Sequence, residues 1–325
     1  MRHVLVTGAK GFMGSHLVRA LLREKDIRLT LTDKFIRESD FLAYSKTFRN
    51  KSVSIYNLDI RNRDKVFDLF KDEKIDTCIH LAGKVNVEDS IKNPALTMDT
   101  NGKGTLNILD ACTFNHTKNF VFTSSASVYG NPTKLPISED HVLKPLSPYG
   151  TSKVLAEQYV TTYRISEKIQ NAISLRIFNA YGKGQHSGTD VITKLARRIS
   201  NELPPIIYGD GMQTRDFISV IDIVNAIMLS IKAMEERSDI LISTQSSIFN
   251  IGTGKSTSIM ELCKQMIRVS GLDLEPIYQD AENKGEIKDS CADITRAKNI
   301  LQFIPKNKLE VDIENIVKHM DSITC

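Results

Sequence analysis

The chain has 325 residues, 41% of them hydrophobic and 25% charged, with a formal net charge of +4. These values describe an ordinary globular protein of one large or two linked domains and exclude disordered and fibrous classes, while the scattered lysines and arginines give no stripe for nucleic acid. No apolar run is long enough to cross a bilayer, and five cysteines at irregular spacing, with no CxxC pair, read as reduced thiols of a cytoplasmic protein.

The chain enters a strand-like run at once, "RHVLVTG", without the charged and apolar regions of a signal peptide. A helical stretch follows from about Phe12 to Glu24, then "RLTLT", "VSIYNL", a helix near Asp64–Lys71, and "TCIHLA". A long helix is expected around Ala95–Cys112, then the strand "NFVFTS". The next helix starts at Pro148, with Ser147 as N-cap and the proline at the first helical position, and "AISLRIF" closes the series. Strands alternating with helices predict a parallel, doubly wound α/β sheet. After Phe178 the pattern loosens, with "NAYGKGQHSG" and "LPPIIYGDG", as in a smaller and less regular second domain.

The first strand runs into Gly8, Gly11 and Gly14 in the spacing GxxGxxG. Glycines at a strand-to-helix turn let backbone N–H groups approach a pyrophosphate, whose charge the helix N-terminus favours. Alone the glycines describe a tight turn; a strand before and an amphipathic helix after give them the context of a dinucleotide site. Asp33 ends the second strand, nineteen positions beyond Gly14. A carboxylate there accepts from ribose hydroxyls and repels a 2′-phosphate, which predicts NAD over NADP.

"SPYGTSK" sets Tyr149 and Lys153 four apart at a helix start, on one face. A phenol titrates near ~10, too high for a base at neutral pH. A neighbouring ammonium and a positive nicotinamide ring would lower it. "TSSASVYG", Thr123–Gly130, crowds hydroxyls at the end of an apolar strand, either as turn chemistry or as an active-site floor.

On these residues the chain resembles the extended short-chain dehydrogenase/reductase family, the nucleotide-sugar epimerases and dehydratases. "TGAKGFMGSH" is similar to its TGxxGxxGxH, "SPYGTSK" to its YxxxK, and "LDIRN", "HLAGKVNVEDSIKNP", "TNGKGTLNILDAC", "LRIFNAYG", "IYGDGMQTRDFISVIDIVNAI" and "FNIGTG" to further blocks over nearly the whole chain. The resemblance implies a Rossmann-type domain over residues 1–178, to which 219–250 returns, and a smaller α/β sugar-nucleotide domain over 179–325. It implies NAD held by Gly8, Gly11, Phe12, Met13, Gly14, Asp33, Lys34, Asp59, Ile60, Leu81, Ala82, Gly83, Asn101, Thr123, Tyr149, Lys153 and Phe178. A nucleotide sugar would meet Ser125, Ala126, Tyr149, Asn179, Val191, Arg215 and Lys284. Asn283 stands where the family often has an arginine, so Lys284 would supply that diphosphate contact. Lys183 replaces a frequent proline and reads as solvent-facing.

In this family Tyr149 is the base at the sugar 4′-hydroxyl, Ser125 its hydrogen-bonding partner, and Lys153 the residue that holds the nicotinamide ribose. The dehydratases carry an Asp-Glu pair where this chain has Ala126 and Ser127, and neither of these is an efficient proton carrier. The resemblance therefore implies epimerisation at C4 of a UDP-hexose, UDP-glucose and UDP-galactose, with UDP-N-acetylhexosamines and UDP-glucuronate as alternatives. Side chains around Val85, Val87 and Tyr181–Val191 are expected to size the sugar pocket. A catalytically silent NAD-binding sensor is the alternative of another class, disfavoured because both Tyr149 and Lys153 are present. In the family the helices that correspond to those near 95–115 and after Tyr149 pair between subunits, so the resemblance implies a homodimer, with core packing within one subunit as the alternative. "GTGKST", Gly252–Thr257, imitates a P-loop, but Phe249 stands where its first glycine should be; it reads as a turn into a helix capped by Ser258 and Glu261. No histidines have ligand spacing, so no metal is expected, and His80 reads as structural.

Overall fold

The computed structural model describes residues 1–44, 52–185, 188, 190–236, 247–280 and 287–318. Its first half alternates as the sequence pattern predicts: β1 (Arg2–Thr7), α1 (Phe12–Leu21), β2 (Ile27–Asp33), β3 (Ser52–Asn57), α2 (Arg63–Asp72), β4 (Thr77–His80), α3 (Val87–Lys92), α4 (Pro94–Met98), α5 (Gly104–Phe114), β5 (Asn119–Ser125), α6 (Pro148–Ile165) and β6 (Asn171–Ile177). The second half is less regular, with β7 (Asn179–Tyr181), α7 (Val191–Ser200), β8 (Ile206–Tyr208), β9 (Thr214–Arg215), β10 (Phe217–Ser219), α8 (Val220–Glu236), β11 (Ile248–Ile251), β12 (Thr257–Ser258), α9 (Ile259–Ser270), β13 (Ile277–Gln279) and α10 (Leu309–Lys318).

Seven parallel strands form the main sheet in the order β3-β2-β1-β4-β5-β6-β11. Every residue of β4 and β6 is buried, as strands covered on both faces must be. One face packs on α1 and α8, through Leu17, Leu21, Ile223 and Ile227. The other packs on α2, α5 and α6, through Val66, Ile108 and Ala156. The strand order reverses between β1 and β4, and ligands of such sheets sit in the crevice at the carboxyl ends of the strands there. A third core, around Leu195, Ile207, Leu262 and Ile313, belongs to α7, α9 and α10. Although α8 and β11 belong to the second half in sequence, they lie on the main sheet.

The long helix expected over 95–112 is present: α4 and α5 run on into one another through a π turn, Asp99–Lys103. Asn101 and Gly102 are buried in this turn.

Candidate active site

The turn after β1 has the geometry a phosphate needs. Gly8 has φ +72°, and a Cβ there would lie 2.7 Å from the Ala82 amide nitrogen, so the loop after β4 presses directly on glycine backbone. A Cβ on Gly14 would sit 2.1 Å from the Gly8 carbonyl oxygen. Gly11 caps α1 with no side chain, and no acid occupies the first turn that also holds Phe12 and Met13. The N–H groups and dipole of α1 are thus open to an anion. Asp33 stands at the rim of this turn, where its Oδ2 accepts from the Lys10 N–H at 3.2 Å and its Oδ1 from the Lys34 N–H at 2.7 Å.

Asp59 lies beyond β3. The Arg61 guanidinium grips its carboxylate, with Nη2 to Oδ2 at 2.6 Å, and Lys34 Nζ lies 3.8 Å away. Hydrogen bonds from Arg61 hold the carboxyl at a pKa of about 2. Ile60 is buried against α5, and Asn107 Nδ2 donates to its carbonyl at 2.9 Å.

The segment Leu81–Gly83 follows β4 and is fixed by its neighbours. Thr7 Oγ1 accepts from the Ala82 N–H at 3.2 Å. Asn101 clasps the next residue, its Oδ1 accepting from the Lys84 N–H at 2.7 Å and its Nδ2 donating to the Lys84 carbonyl at 2.9 Å. Asn101, expected at the cofactor, therefore directs these bonds to the loop and to Ser152 Oγ, 2.9 Å away. His80 lies beneath, between Thr7 Oγ1 at 2.7 Å and Thr105 Oγ1 at 3.0 Å. The Thr105 hydroxyl donates to the Asn101 carbonyl, so it must accept from Nε2–H, and Nδ1 accepts from Thr7. Burial, with Lys153 nearby, lowers the His80 pKa to about 3, so the imidazole is neutral and structural.

Ser147 Oγ accepts from the Gly150 N–H at 3.1 Å and starts α6, as the sequence predicts. Tyr149 is buried, and Ser125 is the side chain that acts on its phenol. Two serines that the sequence reading passed over hold its backbone: Ser90 Oγ accepts from the Tyr149 N–H at 3.1 Å, and Ser152 Oγ donates to its carbonyl at 2.7 Å. The only signal in the sequence was the three-residue spacing of Ser152 from Tyr149; Ser90 lies 59 residues away. Lys153 reaches the end of β5, its Nζ donating to the Thr123 carbonyl at 2.8 Å and lying 4.8 Å from the Phe122 ring centre.

The electrostatics differ from the expectation at one point. Burial raises the Tyr149 pKa, opposed only by the Ser125 side chain. Burial also lowers Lys153 to about 8. The expected depression of Tyr149 by Lys153 is absent in the protein alone, because the ammonium faces the Thr123 carbonyl and desolvation dominates both groups.

Ser125 Oγ donates to Ser127 Oγ at 3.1 Å and accepts from the Ser127 N–H at 3.2 Å. Ala126 lies half-buried in the short turn that follows. Phe178 is buried beside the Tyr129 ring. Asn179 opens β7, which pairs with β10, and its N–H donates to the carbonyl of Asp216, the residue after Arg215, at 2.9 Å. Arg215 is half-buried, with Nη1 on the Thr214 carbonyl at 2.8 Å. Val191 begins α7, whose N-cap is Asp190. Across the cleft, Lys194 Nζ lies 3.3 Å from Glu88 Oε1. Tyr181, expected at the pocket rim, is buried with its hydroxyl on Asp312 at 2.9 Å, whereas Val85 and Val87 are exposed. Asn283 and Lys284 lie outside the described residues. Among the described residues, no cluster of His, Cys, Asp or Glu is placed to hold a metal, four cysteines are free, and no helix is long and apolar enough to cross a membrane.

A doubly wound sheet with a phosphate-cradling turn at its switch point, and a Tyr/Lys pair beside it, defines a protein of the extended short-chain dehydrogenase/reductase class. Within it, the chain belongs to the NAD dependent epimerase/dehydratase family, whose profile matches residues 4–252, and its cofactor is NAD. A Methanocaldococcus jannaschii protein provisionally named UDP-glucose 4-epimerase is 36% identical over 98% of both chains. The crystal structure of UDP-glucose 4-epimerase from Thermotoga maritima with UDP-glucose superposes with a TM-score of 0.86 at 29% identity, covering 98% of this chain and 99% of that one. UDP-N-acetylglucosamine 4-epimerase from Methanobrevibacter ruminantium gives 0.85 at 30% identity, covering 99% and 98%.

Proposed function

We propose that the protein inverts C4 of a nucleotide sugar, interconverting UDP-glucose and UDP-galactose through a transient 4-keto sugar. The observation that carries this reading is the placement of Ser125 at the buried Tyr149 phenol and of Lys153 at the end of β5, with Ala126 and Ser127 where elimination would need carboxyl groups. When bound, NAD supplies the hydride acceptor and a positive ring charge near the phenol. The residues fit it: the open N-terminus of α1 suits a pyrophosphate, and Asp33 offers a carboxylate at the ribose position.

In this reading Tyr149 takes the proton from the sugar 4′-hydroxyl, and Ser125 orients that oxygen. Lys153 holds the cofactor ribose and supplies positive charge at the strand end. Asn101 acts on the cofactor through the Gly83–Lys84 loop it clasps. Asn179 and Arg215 grip the diphosphate, Arg215 with charge-assisted donors. A 4-keto sugar in this site meets no acid at 126 or 127 to draw off its C5 proton, so reduction back to the hydroxyl is the path left.

Two of the relatives are named for different sugars, so the choice of sugar is tested directly. UDP-glucose, UDP-galactose, UDP-N-acetylglucosamine and UDP-glucuronate are each incubated with the NAD-loaded protein and followed by proton NMR. The expected result is one mixture of UDP-glucose and UDP-galactose reached from either side. A preference for an N-acetylated or uronic sugar reassigns the substrate. Loss of water or carbon dioxide defeats the epimerase reading, and no turnover of any sugar favours an NAD-binding sensor. A cytoplasmic homodimer joined through α5 and α6 belongs to the same proposal, and sedimentation checks its stoichiometry.

A further inference from the structure

The P-loop-like run "GTGKST" is not an empty turn. Asp216, fully buried, fills it with a carboxylate from the protein itself. Its Oδ1 accepts from the Thr253 N–H at 2.8 Å and the Thr253 hydroxyl at 2.6 Å. Its Oδ2 accepts from the Gly254 N–H at 2.9 Å and the Ala292 N–H at 3.0 Å. Burial raises the Asp216 pKa, and the four donors, which oppose that rise, satisfy the acceptor sites of a carboxylate in a setting where an unpaired charge would be very costly. The loop that would cradle a phosphate elsewhere is closed here by an internal anion.

The bond to Ala292 reaches a second element. Residues 288–293 run as a strap beside β9, where the Thr214 N–H donates to the Lys288 carbonyl at 3.0 Å and Thr214 Oγ1 donates to Asp289 at 3.0 Å. The other side of the strap is tied to the 137 loop, with the Ile137 N–H on the Cys291 carbonyl at 2.8 Å. Arg215 follows Thr214, precedes Asp216, and touches the strap through Nη1 at 3.3 Å from the Lys288 carbonyl. Residue 257, just past the loop, pairs with Arg215 across β9 and β12.

We infer that Asp216 is a positioning residue: by joining the 252–254 loop and the 288–293 strap it sets the direction of the Arg215 guanidinium, and so governs affinity for the nucleotide diphosphate without touching it. This rests on the nucleotide-sugar reading above. The sequence position adjoining Arg215 invites an ion pair between the two residues, but the Asp216 carboxylate points to the backbone donors instead.

The test is Asp216→Asn in the NAD-loaded protein. The amide has nearly the shape of the carboxylate, but its NH2 group must face N–H donors, so the loop or the strap has to move. Calorimetric titration with UDP is expected to show affinity reduced about tenfold or more, with retained NAD and, in turnover, KM raised by more than kcat is lowered. Thr253→Val removes only the hydroxyl donor and is expected to weaken UDP binding a few-fold; it decides the matter if Asp216→Asn does not fold. UDP binding within twofold of wild type in the folded asparagine variant, or unchanged binding in Thr253→Val, overturns the inference. NAD and UDP affinities falling in parallel overturns it as well, because that is the mark of general loosening. A wild-type protein that takes up no UDP is a separate failure and defeats the nucleotide-sugar reading itself.

Discussion

The two walls of the cleft are built by different physics. The cofactor wall, at the ends of β1, β4 and β5, is organised by close backbone approach and neutral hydrogen bonds: Gly8 against Ala82, and a chain from Thr7 through His80 and Thr105 to Asn101, Ser152 and Tyr149. The opposite wall is organised by buried carboxylates. Asp216 gathers the 252–254 loop and residue 292, and Asp222 accepts from the Lys306 and Asn307 N–H groups at 3.1 and 2.9 Å. A regular sheet supplies its own backbone partners, so its ends need only small polar links. Irregular segments leave N–H groups over, and an internal anion collects them.

The contrast can be broken most strongly at Tyr149. Tyr149→Phe removes the phenolic oxygen and leaves the cofactor wall intact. Turnover is expected to fall about 10²–10⁴-fold while NAD affinity stays within twofold, measured by stopped assay and dinucleotide titration. Full activity in this variant would remove the proposed base.

Arg215→Ala addresses the opposite wall. It should weaken UDP binding by roughly 2–3 kcal/mol, or about 30- to 150-fold, with NAD binding unchanged. A variant that binds UDP normally would place the diphosphate elsewhere.

Lys153 gives the cofactor wall a pH dependence. Its buried ammonium has a pKa of about 8, below that of lysine in an unfolded chain. Between these values the unfolded chain holds the extra proton, so this group adds stability as pH rises from about 8 toward 10.5 and withdraws it as pH falls. The proposed role runs the other way, since in it the charged form would hold the ribose. NAD affinity of the cofactor-free protein is expected to decline above about pH 8, by up to about tenfold per pH unit, and Lys153→Met should abolish that slope. An NAD affinity flat from pH 7 to 9.5 contradicts the role.

The smallest effect belongs to Asp59. With its pKa lowered to about 2, its stabilisation is complete above the ordinary carboxyl range and disappears as pH falls from 3.8 through about 2. The carboxylate is partly solvent-exposed, so screening keeps the effect modest. Asp59→Asn is expected to lower Tm slightly at pH 7 and to flatten the acid limb of the Tm profile. An unchanged acid limb would show that Arg61 gives it no net stabilisation.

Most of the sheet was legible in the sequence, because periodicity, Ser147–Pro148 and the glycine spacing are local signals. The π turn at Asp99–Lys103 within the long helix was not, since the apolar pattern runs through it and the clasp of Asn101 on Lys84 is a contact across 17 residues. Tyr181 reads as a pocket residue because it begins the loop Tyr181–Val191 expected to size the sugar pocket, yet its partner Asp312 lies 131 residues on, in α10. "GTGKST" was correctly set aside as a nucleotide loop, but its occupant could not be seen, because Asp216 is 37 residues from Thr253. The sequence by itself determined the element order, the parallel sheet, the phosphate-cradling turn and the Tyr/Lys spacing, all consequences of local sterics and of side-chain period. Tertiary structure alone decided which polar groups are buried together, and therefore which residues are neutral, which are charged and which merely hold others in place. Desolvation depends on everything that packs around a group, and neighbours in sequence are a minor part of that.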